Sequence, residues 1–371
     1  MNEVRSVRSF GDLRAFVDLP YRLHAGTPWV PPLRLERYAS LSRRLNAYFT
    51  HGRAVYLLAR RGDRVVGRVS VQIDDAFNAF HDTRQAAFGF LEFEDDPAIL
   101  PALIGAAETW ARARGCDRLV GPMDFSMNDE SGVLVEGFDL QPLIKQPWHP
   151  PYYAAHCEAL GLEQAMDLWS WRLDVSNRDA VRPALWRIAE RARTQHGITV
   201  RPMSRLHLRR DLEAFRDIYN AAWSANWGFV PYGKADLDAY AAELQLVYSP
   251  GWFMVAELNG EPIAMAISVM DVNQVLLKMK GRLLPLGWWH FLRKAQTVDQ
   301  VRIGFLGVKP EYEMTGVAAL LYERHYDLAE TTRLKGGEAG WILATNKGMN
   351  RGLETMGGEI VKRFRVYERL L

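Results

Sequence analysis

Residues 301–319, VRIGFLGVKPEYEMTGVAA, change character twice. They open on an apolar, β-branched run, Val301, Ile303, Phe305, Leu306 and Val308, which predicts a buried strand. Lys309-Pro310 ends that strand, because proline has no amide to give a ladder. A short polar loop with Thr315 and Gly316 then leads into AALLYERHYDLAE, a helix-forming run. A helix that starts this way leaves backbone N–H groups unpaired and points the positive end of its dipole outward. Such a start suits a pyrophosphate. By local spacing alone, an ordinary strand-to-helix turn is the commoner explanation.

The C-terminal residues narrow the choice. Gly340-Trp341-Ile342-Leu343 is a second short apolar run, ending in Ala344-Thr345-Asn346, and a helix over 349–356 and a final strand over 359–367 come after it. The pattern V-x-P-x-Y-x-x-x-G-x-A from Val308 to Ala318, then a strand ending in Asn346 and a helix closing at Met356-Gly357-Gly358, resembles the acyl-CoA-binding half of the GNAT acyltransferases. That family's loop reads Arg/Gln-x-x-Gly-x-Gly/Ala. Here Glu313 stands at the first position, so the charge is reversed there and backbone amides carry most of the cradle. The resemblance implies acyl-CoA as co-substrate, with its pyrophosphate on Met314, Thr315, Gly316, Val317 and Ala318. It assigns the oxyanion and pantetheine contacts to the backbone of Leu306, Gly307 and Val308, and a contact with the cofactor arm to Asn346. Read from its position alone, Asn346 is equally well a helix cap.

The bulk numbers set wide bounds. A chain of 371 residues is long for one core and comfortable for two. A formal net charge of +2 excludes the large basic excess of a nucleic-acid binder. Cys116 and Cys157 are too few for a disulfide scaffold, fit a reducing compartment and read as buried structural residues. The nine histidines show neither H-E-x-x-H nor Cys/His pairing, so no metal is expected. The first residues carry no apolar signal core, and no run of 18 apolar residues occurs. A cytoplasmic location is expected, with peripheral contact on the inner membrane as its variant.

The order of elements repeats. Helices are expected over 10–23 and 35–48, a hairpin over 54–59 and 65–73, a strand over 85–93, a helix over 97–114, a strand over 118–121, a helix over 151–160 and a strand over 163–175. Helices over 208–223 and 235–247 and a hairpin over 252–258 and 262–270 begin a second series, which runs on through the strand, loop and helices of 301–367. The expected fold class is mixed α/β, two tandem GNAT-like domains, each a mixed sheet flanked by helices. The expected boundaries are 1–176 for the first domain, 177–197 for a linking helix and 198–371 for the acyl-CoA-binding domain. In the first copy the strand ending at Phe93 runs into Glu94-Asp95-Asp96-Pro97, which repels a diphosphate. The first domain is therefore expected to be degenerate. Tandem halves with one silent site are similar to the Fem-type aminoacyltransferases.

Direct attack of an amine on a thioester needs a held thioester, a stabilised oxyanion and a proton acceptor. Asp271, beside Asn273 and Gln274 after the second hairpin, is one candidate base, and an ordinary turn is its alternative. The polar loop 127–132 supplies Asn128 and Glu130 as the others, against a solvated loop. Tyr322 and Tyr326, one helical turn apart, read as packing. Asn220, Trp223 and Trp227 in NAAWSANWGFVP sit where the family places its acceptor, and Asn273 joins them as a substrate contact. Residues 281–295, GRLLPLGWWHFLRKA, carry Trp288 and Trp289 between cations; internal packing is the first expectation, and a membrane interface the alternative if they are exposed.

Taken over most of its length, the chain is similar to the double-GNAT proteins that include bacterial ceramide synthases. The residues behind that are Trp29-Val30-Pro31-Pro32, the stretch Gly121 to Glu130, Pro150-Pro151-Tyr152-Tyr153, Asp271 to Leu276, Gly281-Arg282-Leu283 and Arg363 to Tyr367. It implies acylation of a sphingoid base, or of its 3-keto form, by acyl-CoA to a ceramide-type product. The alternatives are acylation of an amino acid or other small amine, and a catalytically silent lipid- or partner-binding protein.

Overall fold

The polypeptide alternates strands and helices from end to end, and the computed structural model describes residues 3–204, 208–249 and 251–371 of it. In chain order these are β1 (Glu3–Ser6), α1 (Phe10–Leu23), α2 (Arg34–Ser40), β2 (Gly52–Arg61), β3 (Arg64–Asp74), α3 (Asp75–His81), β4 (Gln85–Phe93), α4 (Ile99–Arg112), β5 (Arg118–Gly121), β6 (Val133–Glu136), α5 (Tyr152–Ala159) and β7 (Glu163–Asp174). Then come α6 (Pro183–Thr194), β8 (Thr199–Pro202), α7 (Leu208–Trp223), α8 (Lys234–Val247), β9 (Phe253–Leu258), β10 (Glu261–Met270), α9 (Asn273–Met279), α10 (Gly287–Leu292) and α11 (Lys294–Thr297). The chain closes with β11 (Gln300–Val308), α12 (Val317–Thr331), β12 (Gly336–Leu343), α13 (Lys347–Thr355) and β13 (Glu359–Leu370).

The chain divides into two units. The first comprises Met1–Leu168, Leu276–Phe291 and Lys362–Leu371, and the second Trp169–Val275 and Leu292–Val361. In the first, the strands run in the order β1-β2-β3-β4-β5-β13, with β6 also on β13. All these pairings are antiparallel except β4 with β5. In the second, the order is β7-β12-β11-β10-β9-β8, and β11 runs parallel to β12. The expected boundaries at 176 and 198 leave out two returns to the first unit, by 276–291 and by the C-terminal strand.

Local chemistry explains the element ends. Ser9 and Asp12 form a capping box on α1, with the Ser9 oxygen accepting from the Asp12 amide at 3.0 Å and the Asp12 carboxylate from the Ser9 amide at 3.1 Å. The hairpin β2–β3 pairs Arg61 with Arg64 across Gly62-Asp63. Phe88, Phe93, Leu103 and Tyr153 are fully buried in the first unit's core, and Trp252, Phe253 and Phe215 are among the largest buried side chains of the second.

Two expectations are corrected. The helix over 35–48 ends at Ser40, and a 3₁₀ turn follows at Ala47–Thr50. Asn46 accounts for the break, because its side chain donates to the Ser40 carbonyl at 2.7 Å and accepts from the Tyr48 amide at 2.9 Å, in place of helical bonds. Residues 281–295 are not internal packing. Leu284 is 73% exposed, Leu286 68%, Trp288 44% and Trp289 49%. The helix that carries the two tryptophans, α10, has only six residues, and its one buried residue, Gly287, lies against Arg282 and Met279.

Candidate active site

The second unit is organised around a parting of two strands. β10 follows β11 as far as Val308, opposite Ala264. β12 pairs with β11 only from Gln300↔Gly336 to Ile303↔Ala339. A register shift puts Ile267 opposite Phe305 and Ser268 opposite Ile303, so Gly304 has no partner of its own on β10. Such a bulge bends its strand, here at the point where the parallel ladder stops. The gap is a cavity walled by Phe305 and Leu306 from β11, Trp341 and Ile342 from β12, Tyr322 from α12 and Met349 from α13. Its lining is overwhelmingly apolar.

The loop after β11 coils into a 3₁₀ turn, Pro310–Thr315, and Gly316, with φ at +80°, starts α12. No side chain caps α12, and the Leu320 amide is bonded to the Gly316 carbonyl at 3.3 Å. The amides of Val317, Ala318 and Ala319 therefore lie in the turn that has no carbonyl of its own helix to meet. This arrangement fits a diphosphate. Glu313 is exposed, where water and salt screen its charge, and the Met314 side chain is 97% exposed. Thr315 donates its hydroxyl to the Tyr312 carbonyl at 2.6 Å, which leaves its oxygen lone pairs but not its proton. A Cβ on Gly316 would come within 2.6 Å of the Ile188 side chain, so α6 packs directly over the turn.

Among the other residues singled out from the sequence, Trp223 stands in the cavity wall, its ring 5.3 Å from that of Phe305. Leu306 lines the same wall, and Gly307 and Val308 lie opposite Met265 and Ala264. Asn346 caps α13 by accepting from the Met349 amide at 3.0 Å. Asn220 accepts from the Tyr232 amide at 3.4 Å, and Trp227 is half-buried in the loop between α7 and α8. Asp271 is buried at the opposite end of β11 from the loop. Its amide donates to the Gln300 carbonyl at 2.9 Å, and its carboxylate accepts from the Asn273 amide at 3.3 Å, at the start of α9. Asn128, Glu130, Trp288 and Trp289 belong to the first unit.

Sequence patterns do not single out Asn350, His325 or Ser268, yet all three matter here. Asn350 is buried, accepts from the Trp171 indole at 2.9 Å and donates to the Leu343 carbonyl at 3.1 Å, which ties α13 to the end of β12. His325 lines the cavity with Nδ1 2.8 Å from the Leu321 carbonyl and Nε2 2.8 Å from the Ser268 hydroxyl. A carbonyl can only accept, so Nδ1 carries the proton and Nε2 accepts from Ser268. Burial pushes His325 down to about 4, so it stays neutral. Only the helical spacing of His325 from Tyr322 hints at a shared face.

The first unit repeats the parting and then closes it. The β4–β5 ladder stops at Ala87↔Val120. Beyond it the Met123 amide donates to the Phe88 carbonyl at 2.7 Å, and the Phe90 amide to the Asp124 carboxylate at 2.7 Å. The chain approaches so closely that a Cβ on Gly89 would lie 1.9 Å from the Met123 carbonyl oxygen. At the start of α4, Asp96 accepts from the Ala98 amide at 2.8 Å, and Glu94 and Asp95 are held by Arg22, Arg64 and His156.

No family model matches the chain. It is 34% identical to "Bacterial ceramide synthase" of Caulobacter vibrioides over 373 residues, covering 98% of this chain and 96% of that protein. It is 33% identical to "Protein YghO" of Escherichia coli, covering 99% and 95%. Among solved structures, a tandem GNAT protein from the clavulanic acid biosynthesis pathway superposes with a TM-score of 0.60 at 14% identity, over all of this chain and 98% of that one. A GCN5-related N-acetyltransferase from Sphaerobacter thermophilus superposes with 0.53 at 13% identity, over all of this chain and 95% of that one. The parted parallel strands, the uncapped helix behind them and the full-length kinship converge: the chain has the fold of a tandem GNAT protein and belongs to the family that includes bacterial ceramide synthase.

Proposed function

We propose that the chain transfers a fatty acyl group from acyl-CoA to the primary amine of a sphingoid-type long-chain base. The observation that carries this is the apolar cavity where β11 and β12 part, next to the uncapped start of α12. The amides of Val317–Ala319 would take the diphosphate, and the edge of β11 at 304–308 the pantetheine arm. Phe305, Leu306, Trp341 and Met349 offer the acyl chain an apolar wall. The amine nitrogen attacks the thioester carbon, the C–N bond forms as the C–S bond breaks, and CoA leaves as the thiol. The ammonium sheds its proton first, so turnover rises with pH until the amine is free. The relative named as a ceramide synthase favours a long-chain base over a small amine. The exposed apolar residues of 283–292, with Arg282 and Arg293 exposed beside them, favour delivery of that base from a membrane face.

The test is release of free thiol across a grid of acyl-CoA chain lengths and amines. Thiol should appear with long-chain acyl-CoA and a long-chain 2-amino alcohol. Met349→Trp, which narrows the cavity, should cut turnover of long acyl chains while acetyl-CoA is spared. Faster turnover with amino acids than with long-chain amines would replace the proposed acceptor, and no thiol from any pair would remove the proposal.

A further inference from the structure

The first unit holds a second cavity, polar where the other is apolar. Arg37 from α2, Arg68 from β3, Glu92 from β4, Asp124 and Glu130 from the loop after β5, and His149 line it. Burying this many charges costs stability that an apolar core would not lose. Glu92 is fully served: its Oε2 meets His24 Nε2 at 2.6 Å and the Tyr153 hydroxyl at 2.8 Å, and its Oε1 lies 3.7 Å from Arg68. Asp124 and Glu130 are not. Asp124 accepts the Phe90 amide at 2.7 Å, and beyond that both lean on one guanidinium, that of Arg37, paired with Glu130 and 3.7 Å from Asp124. That leaves two carboxyl groups sharing one cation at the cavity wall.

A second observation points to a ligand. Arg68 is 8% exposed and donates Nη1 to the Phe16 carbonyl at 2.5 Å, while its buried Nε has no hydrogen-bond partner among the described residues. A buried guanidinium N–H without an acceptor is costly. The cavity thus offers acceptors for a cation and a donor for a neighbouring oxygen. A second cleft lies beside it. Tyr21 and Trp29, edge to face at 5.2 Å, line both this cavity and a wider cleft of about 660 Å³. Leu277, Met279, Leu284 and Leu286 form the far side of that cleft, and the last two are largely exposed. A charged end beside a cleft that mixes these apolar side chains with the basic Arg34, Lys278, Lys280 and Arg282 suits an amphiphile.

We infer that this cavity binds the head of a long-chain primary amine: Asp124 and Glu130 take the ammonium, Arg68 Nε–H the oxygen beside it, and the cleft past Tyr21 and Trp29 the hydrocarbon tail. The assignment rests on the proposed N-acyl transfer only in treating that amine as the acceptor.

Calorimetry on the full chain without acyl-CoA tests it, with a long-chain 2-amino alcohol as probe and the alcohol of equal length lacking the amine as its control. The amino alcohol should bind at least about tenfold more tightly than the control, and the double variant Asp124→Asn/Glu130→Gln should lose at least about that factor. A non-transferable acyl-CoA thioether should bind the double variant as it binds the parent. Leu286→Asp, at a largely exposed site, should weaken the long-chain probe and leave a short-chain 2-amino alcohol unchanged. Equal binding of amine and alcohol overturns the inference, as does an unchanged affinity in the folded double variant. If that variant does not fold, the amine-to-alcohol ratio and the Leu286→Asp result still decide. Absence of thiol release with every amine would count against acyl transfer and not against the cavity's ligand, so the two failures are distinguishable.

Discussion

Asp124 accepts the Phe90 amide and faces Glu130 across the cavity, and it is pulled in two directions. Burial and the Glu130 charge push its carboxyl up to about 8, against the opposing pull of Arg37. Without a bound ammonium the folded chain therefore holds a proton that the unfolded chain gives up near the ordinary value of about 4. That contribution to stability is fully present below about pH 4 and is lost as pH rises towards 8. Asp124→Asn keeps the oxygen that takes the Phe90 amide and removes the titration. Melting curves of the variant should fall less steeply between pH 5 and 8 than those of the parent. Equal slopes would show that Asp124 does not carry the proton. Asp271 has a different character. It is buried at a strand end and accepts the Asn273 amide, and Asp271→Asn should cost about 1 kcal/mol of stability and change turnover only a few-fold. A hundredfold loss of turnover in a variant of unchanged structure would make it a base instead. From the sequence, Glu130 stands out as a charge in a polar loop, but Asp124 does not, because its environment comes from Phe90, Arg37 and Arg68 on three distant elements.

At the scale of elements, local pattern is a good guide wherever a turn residue and a periodic run agree. β4, β5 and α1 lie over 85–93, 118–121 and 10–23, where the sequence pattern puts them. The weak points are short elements with little pattern of their own. α3 and β8 have too few residues for a period to register, and Asn46 breaks a helix through side-chain bonds that composition does not reveal. The segment around α10 is the instructive failure, since a run this apolar reads as core. Of residues 281–295 only Gly281 and Gly287 are buried. Exposed leucines and tryptophans beside Lys280, Arg282 and Arg293 match an anionic bilayer, to which each basic residue adds about 1 kcal/mol near the surface. Sedimentation with anionic liposomes at low salt should carry the chain down, and added salt should release it. Trp288→Ala/Trp289→Ala should reduce that binding and lower turnover of long-chain substrates more than short ones. No sedimentation at low salt would remove the membrane contact.

Across the whole molecule, two units share one device, a pair of parallel strands that part after a short ladder, and use it differently. In the second unit the gap stays open behind an uncapped helix start, and in the first Met123 and Asp124 fill it while Asp96 takes the Ala98 amide just ahead of α4. The repeat and the asymmetry of the two loops are legible from the residues, since both depend on neighbours in the chain. The return of 276–291 and of 362–371 to the first unit is not, because nothing local records which core a segment joins. The asymmetry carries a paired prediction. At Gly316, φ of +80° and a Cβ 2.6 Å from Ile188 make any side chain strained, and Gly316→Glu adds a charge beside the α12 amides. That change should abolish acyl-CoA binding. Asp95 is largely exposed and paired with His156 at 2.8 Å, so Asp95→Lys should cost at most about 1 kcal/mol of stability and leave acyl-CoA affinity untouched. Calorimetric titration of both variants with one acyl-CoA separates the units. Equal affinity in Gly316→Glu and the parent would move the diphosphate away from α12, and a loss of affinity in Asp95→Lys would place it on α4, where the carboxylates should repel it.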